Sequence, residues 1–219
     1  MSTFRFAIMG AGNIAHQFCD AVTLVEDCEV SAIASKDLGR AQKFAEECSV
    51  AHAYDNYEQM LIEEKPDCVY IAVTPNDHFR LTMLCLEHHV PVLCEKAMFT
   101  NSAEAKAVFE KAEKDQTFVM EAMWSRFLPA VNQVKKWAAE GKIGRLEALQ
   151  GRIGFLAPEG ADNRYHSPLL CGGAATDITV YAYEIATWLV NEPVRKTYAA
   201  ANLDQTGVDL TDQVTVKFE

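Results

Sequence analysis

Residues 4–15 read FRFAIMGAGNIA. Phe4–Met9 is a short, mostly apolar run that reads as a buried strand, and Gly10-Ala11-Gly12 then turns the chain. From Asn13 to Leu24, apolar side chains (Ile14, Phe18, Ala21, Val22) recur at helical spacing. The turn is therefore G-x-G-x-x-A between a strand and a helix. In that setting the first glycine makes the tight turn. The second lets backbone approach a pyrophosphate, and the small third residue packs helix on strand. The helix start presents N–H groups to phosphates. Gly10, Gly12, Asn13 and Ile14 are thus expected to hold a dinucleotide. The competing reading is a glycine turn that binds nothing.

The pattern repeats outward from this turn. Glu29–Ser35 reads as a second strand and Leu38–Glu47 as a helix capped by Asp37. A short strand near Val50–Ala53, a helix over Tyr57–Glu64 and the unbroken apolar strand Cys68–Val73 follow. Next come a helix over Phe79–His88, the strand Val90–Cys94, a helix beginning at Asn101 or Ser102, and a strand Phe118–Met120. Strands alternating with helices imply βαβ units, and apolar strands without polar alternation imply a parallel sheet covered on both faces. Residues 1–122 are expected to form a Rossmann-type, doubly wound α/β domain. After Trp124 the style changes. A helix over Pro129–Glu140, an alternating strand Leu146–Leu156, a polar loop Pro158–Leu170, a long helix Ala174–Leu189, and strands Thr197–Leu203 and Asp212–Phe218 follow. Residues 123–219 are expected to form an α+β substrate and oligomerisation domain. Its mainly antiparallel open sheet stops part-way, so the chain reads as truncated.

Whole-chain properties narrow the function. The 219 residues are 49% hydrophobic with a formal net charge of −11, which argues against nucleic acid as partner. No apolar run is long enough to span a bilayer, and the N-terminus has no secretory signal. Seven cysteines, an odd number with no C-x-x-C, fit a reduced cytoplasmic protein. No metal spacing is visible.

Three further stretches carry candidate chemistry. At the end of strand two, Ser35 stands where a ribose-binding acid is usual, while Lys36 and Arg40 can reach a 2′-phosphate. This favours NADP, with NAD also possible if Lys36 and Arg40 are merely solvated. Thr74-Pro75-Asn76-Asp77-His78 leaves strand four at the carboxyl edge of the sheet, where Thr74, Asn76 and His78 could line a nicotinamide; the alternative is a turn with a helix cap. In PVLCEKAMFT (Pro91–Thr100) an apolar strand ends on Glu95-Lys96 at the same edge. A lysine there can bond both cofactor and a substrate hydroxyl, and a partly desolvated lysine can be tuned for acid–base work, with Glu95 orienting it. The bland reading is a solvated ion pair.

GAGNIA, VLCEK, MEAMWSRFLP (Met120–Pro129), IGRLEALQGRIGF (Ile143–Phe155) and GGAATDITVYAYE (Gly172–Glu184), in this order, resemble the Gfo/Idh/MocA family, most of all its dimeric dihydrodiol dehydrogenase branch. The resemblance implies NAD(P)-dependent hydride transfer on a sugar, polyol or diol, or the reverse reduction. It implies a homodimer or tetramer in a full-length form. It maps the family's lysine to Lys96, its helix aspartate to Asp177 and its His/Tyr position to Tyr181, giving three catalytic candidates. It places Glu95, Trp124 and Arg126 near the cofactor, and Lys96, Trp124, Phe155, Asp177 and Tyr181 at the substrate. Asp177 and Tyr181, four apart, would share a helix face, and Gly172-Gly173 before them would allow close approach of a ligand. Without the resemblance, a core tyrosine and a helix-start charge explain them equally well.

Two departures stand out. Ala97 replaces the proline that follows the lysine in the family, often in a cis bond, so Lys96 is expected to sit more loosely. The family's sheet also continues past Glu219, so an exposed sheet edge, poor solubility or altered association are expected if the chain is complete. The family also contains dinucleotide-binding sensors without turnover, the alternative function.

Overall fold

The computed structural model describes residues 3–158, 160 and 163–219. The chain divides into two compact units, Met1–Ala122 and Met123–Glu219.

The first unit is a six-stranded parallel sheet: β1 (Phe4–Met9), β2 (Cys28–Ala34), β3 (His52–Tyr54), β4 (Cys68–Ile71), β5 (Val92–Cys94) and β6 (Val119–Glu121), in the order β3-β2-β1-β4-β5-β6. Helices α1 (Asn13–Val22), α2 (Leu38–Cys48), α3 (Tyr57–Glu64), α4 (Pro75–Glu87) and α5 (Ser102–Asp115) connect the strands. Side chains alternate across a strand, and the two cores follow from that. Ala7, Met9, Ala34 and Ile71 pack with Met60, Leu61, Leu81 and Cys85 on one face. Ile8, Ile33 and Tyr70 pack with Ala15, Cys19 and Phe44 on the other. The sequence order reverses between β1 and β4, which puts the crevice beyond their carboxyl ends.

Polar residues set the helix starts. Asp37, Asn56 and Asn101 accept the backbone N–H of Arg40, Gln59, and both Ala103 and Glu104. Helix α4 begins at Pro75, a turn before the expected Phe79, because a proline's missing N–H costs nothing at the first helical position.

The second unit holds a 3₁₀ turn (Trp124–Phe127), α6 (Pro129–Ala139), a π-helical turn (Ala175–Thr179) leading into α7 (Val180–Val190), and an antiparallel pair, β7 (Val194–Leu203) and β8 (Asp209–Phe218). Helix α7 was expected as one helix from Ala174, but its first turn is π-helical. The expected strand Leu146–Leu156 has no regular structure. Its alternation is real, but a strand exists only by pairing, and no strand lies in register with it among the described residues. The segment instead passes α7, where a Cβ on Gly151 would sit 3.4 Å from that of Ala182. Of the polar loop, Glu159, Ala161 and Asp162 lie outside the described residues.

Candidate active site

The glycine turn is held from both sides. The Gly10 N–H donates to Ala34 O, and the Ala72 N–H donates to Met9 O, both at 2.8 Å. Gly10 has φ +110°, and a Cβ there would lie 2.7 Å from Ala72 O, so the fold itself demands glycine. Gly12 differs. Its φ is −101°, and a Cβ would meet nothing closer than Ala72 O at 3.9 Å. Protein sterics leave that space open in front of α1. Gly12 caps α1 without a side-chain bond, and the first N–H groups of a helix have no intrahelical partner. Asn13 and Ile14 are exposed beside it. An open cradle, unclaimed N–H groups and a positive helix end fit the pyrophosphate of a dinucleotide.

Around this turn, Ser35 is buried and its Oγ lies 3.5 Å from the Asp37 N–H. Arg40 donates from Nη2 to Ala11 O at 3.3 Å, on the rim of the cradle. Lys36 was expected at a 2′-phosphate. Here it reaches across to Asp77 Oδ2 at 2.5 Å. Asp77 also accepts from Arg80 Nε at 3.4 Å. Burial pushes the Asp77 carboxyl up, but the Lys36 bond and the charges of Lys36 and Arg80 outweigh it and leave the group below its ordinary value.

His78 corrects an expectation. It is fully buried and does not line a surface. Its Nε2 lies 3.0 Å from Val73 O, and its Nδ1 lies 3.0 Å from Ala97 O and 3.2 Å from Met98 O. Burial pushes its pKa down against the pull of those carbonyls. The ring therefore ties the β4 end to the segment just after Lys96. Of its neighbours, Thr74 is half-buried at the start of α4 and Asn76 is exposed.

At the end of β5, Glu95 Oε1 accepts from Tyr70 Oη at 2.5 Å, and Glu95 Oε2 accepts from the Lys96 backbone N–H at 3.2 Å. Burial raises the Glu95 carboxyl, against the Tyr70 and Lys96 hydrogen bonds. Glu95 thus holds the backbone of Lys96. The Lys96–Ala97 peptide is cis, although no proline is present. One residue later, the Met98 N–H donates to Glu121 Oε1 at 2.9 Å. Glu121 opens the EAMWSRF stretch of the MEAMWSRFLP motif, whereas Tyr70, within an otherwise apolar strand, is not among the expected site residues. A lone hydroxyl in such a strand was the available signal.

In the second unit, Tyr181 Oη accepts from Trp124 Nε1 at 2.9 Å, with the two rings edge to face. Asp177 Oδ1 accepts from Arg164 Nη2 at 3.1 Å, and Asp177 lies in the π turn, a distortion frequent at functional sites. Phe155 packs edge-on against Tyr165. The Arg126 Nε donates to Glu184, whose other oxygen accepts from Ser125 Oγ at 3.1 Å, and the Arg126 side chain stays 45% exposed. Glu184, buried and absent from the expected site, is the organiser here. A charged residue inside the apolar run of α7 was its sequence signal. Gly172 and Gly173 also serve packing, because a Cβ would lie 2.4 Å from Arg164 O at the first and 2.2 Å from Asp209 Oδ1 at the second. That removes the reason to assign them to ligand approach.

A cleft of about 1710 Å³ in this unit lies among residues 145–154, α6, α7 and β8. Residues 145–154 of one motif and Thr179, Ala182 and Tyr183 of another line it, but Trp124, Phe155, Asp177 and Tyr181 do not. It is the gap between an unpaired extended segment and an open strand, rather than a built site.

Comparison with known proteins bears on this arrangement. Residues 4–123 match the model of an oxidoreductase family with an NAD-binding Rossmann fold, and residues 131–219 match a C-terminal domain model of the same family, GFO/IDH/MocA. The chain is 31% identical over 220 residues to the trans-1,2-dihydrobenzene-1,2-diol dehydrogenase of Mus musculus, covering 98% of this chain and 65% of that protein. It thus spans less than two thirds of that relative's length. Among solved structures it superposes on an NAD-binding protein from Listeria innocua with a TM-score of 0.88 at 22% identity, covering 100% of this chain and 64% of that one. It also superposes on scyllo-inositol dehydrogenase from Lactobacillus casei, solved with NAD(H) and scyllo-inositol, with a TM-score of 0.80 at 14% identity, covering 100% and 67%.

Proposed function

The chain belongs to the Gfo/Idh/MocA oxidoreductase family, and from that premise we propose that it is an NADP(H)-dependent oxidoreductase, NAD(H) being also accepted, acting on a CH–OH group. The observation that carries the reading is the open Gly12 cradle at the end of β1, with Glu95-Lys96 at the same edge of the same sheet. The first unit binds the dinucleotide. The second supplies substrate contacts and the surface of a dimer or tetramer. When bound, the nicotinamide accepts or returns the hydride.

The chain's own residues do the rest. Gly10 shapes the turn, while Gly12, Asn13 and Ile14 take the phosphates. Ser35, Lys36 and Arg40 meet the adenosine ribose. Thr74 and Asn76 border the crevice. Lys96, its backbone fixed by Glu95 and its following segment by His78 and Glu121, bonds the substrate hydroxyl and moves its proton. Tyr181 shares that proton work, with Asp177 holding a second hydroxyl. Trp124 and Phe155 are apolar walls, and Arg126, held at Nε by Glu184, borders the cofactor and shapes the pocket. The mouse relative acts on a trans-diol, and the Lactobacillus casei neighbour holds an inositol. These two names support a diol, polyol or sugar as the substrate class. A cytoplasmic location fits seven cysteines, an odd number with no C-x-x-C.

The test is turnover of a diol and inositol panel by the parent, Lys96→Ala and Tyr181→Phe. Loss in both variants with dinucleotide binding retained is expected. Undiminished turnover in the pair would refute the assignment.

A further inference from the structure

The Lys36–Asp77 pair is placed where it can act on cofactor choice. Lys36 follows β2, and Asp77 lies in the first turn of α4, after β4. In the sheet these two strands flank β1. Neighbouring strands are about 4.8 Å apart, so β2 and β4 are separated by about 10 Å, and the pair bridges the carboxyl end of β1. That is the rim of the glycine cradle, on the side where a doubly wound fold receives the ribose 2′ group.

Three features make the pair separable. The Lys36 side chain is 67% exposed and has room to swing, whereas that of Asp77 is 16% exposed and fixed in the first turn of α4. Asp77 keeps a second cation, Arg80, if Lys36 departs. A phosphate monoester carries about 1.5 to 2 negative charges at neutral pH and takes a cation from a single carboxylate.

We propose that Asp77 sets the balance between 2′-phosphorylated and 2′-hydroxyl dinucleotides by holding Lys36 across the cradle. This rests on the dinucleotide-binding reading above and adds a residue to it. A 2′-hydroxyl leaves the pair in place. A 2′-phosphate must take Lys36 from Asp77 and then stand near the remaining carboxylate. Asp77 is therefore a specificity residue that opposes the phosphate and keeps the non-phosphorylated cofactor competitive. Arg40, anchored on Ala11 O, stays at the rim in either case.

The experiment is a fluorescence titration of the parent, Asp77→Asn, Lys36→Met and the double variant with NADPH and with NADH. Asp77→Asn should tighten NADPH about three- to tenfold and leave NADH within about twofold. In the Lys36→Met background that gain should shrink, because the two residues are coupled. Asp77→Ser serves as the second substitution if the asparagine variant folds poorly. Equal movement of both dinucleotides, or an unchanged ratio with both still bound, overturns this inference alone. Binding of neither to the parent overturns the underlying reading as well.

Discussion

Gly10 and Gly12 look alike in sequence, and the structure separates them. Gly12→Ala adds a methyl at φ −101°, a conformation any residue adopts, with its nearest protein atom 3.9 Å away. Alanine is a poorer helix cap than glycine, at a cost of about 0.5–1 kcal/mol. Restricting the unfolded chain returns about 0.4–1 kcal/mol. The two nearly cancel, so stability should stay within about 0.5 kcal/mol of the parent. The methyl does fill the opening where backbone would meet phosphate, so NADPH and NADH should both weaken at least tenfold, about 1.4 kcal/mol. Gly10→Ala reverses the pattern. Its φ of +110° is nearly closed to alanine, and its Cβ would press on Ala72 O at 2.7 Å. Strain of about 1–3 kcal/mol and overpacking of about 1–3 kcal/mol should together cost about 2–6 kcal/mol. Urea denaturation reads the first quantity and quenching by added dinucleotide the second. A Gly12→Ala chain that binds both dinucleotides as the parent does, or a Gly10→Ala chain as stable as the parent, would refute the assignment of one glycine to the ligand and the other to the fold.

Three more outcomes are expected. Arg126→Met strands the buried carboxylate of Glu184, and should cost about 2–4 kcal/mol in urea denaturation, with Glu184→Gln milder. His78→Phe leaves the carbonyls of Val73, Ala97 and Met98 without the ring, costing about 2–4 kcal/mol and raising hydrogen exchange at the Met98 amide, which reports the segment after Lys96. The Asp77 carboxyl lies below its ordinary 3.8. A depressed carboxylate stabilises above its unfolded value, and that contribution is lost as pH falls through the folded one. The parent should therefore exceed Asp77→Asn by up to about 1 kcal/mol near neutral pH, given the exposure of Lys36, and the two should converge as pH falls below 3.8 and through the lowered value of the folded carboxyl.

What could be read from the sequence was what is local. The doubly wound sheet follows from short-range facts: apolar runs such as Cys68–Ile71, caps such as Asp37 and Asn56, and a glycine turn at one strand end. Leu146–Leu156 alternates as well as any of them, yet strand formation depends on a neighbour that spacing alone does not supply. The side chains were harder for the same reason. Lys36 and Asp77 are 41 residues apart, and Arg126 and Glu184 are 58 apart, so the carboxylates that claim these cations are invisible to a local reading. His78 was placed on a ligand-facing turn because its position is right for one. Its ring turns inward instead, with Nε2 against the Val73 carbonyl and Nδ1 against those of Ala97 and Met98, and its single N–H when neutral serves one of the two sides. Gly172 and Gly173 suit a ligand approach in sequence and are spent on the chain's own backbone and Asp209.

The measurement closest to the central claim is the appearance of reduced nicotinamide when the chain is mixed with NADP or NAD and a trans-diol or an inositol, with Lys96→Ala alongside. The account predicts reduction by the parent, and dinucleotide binding without reduction in the variant. A parent chain that binds the dinucleotide and reduces none of it with any diol, polyol or sugar would contradict the account and make the chain a dinucleotide-binding sensor.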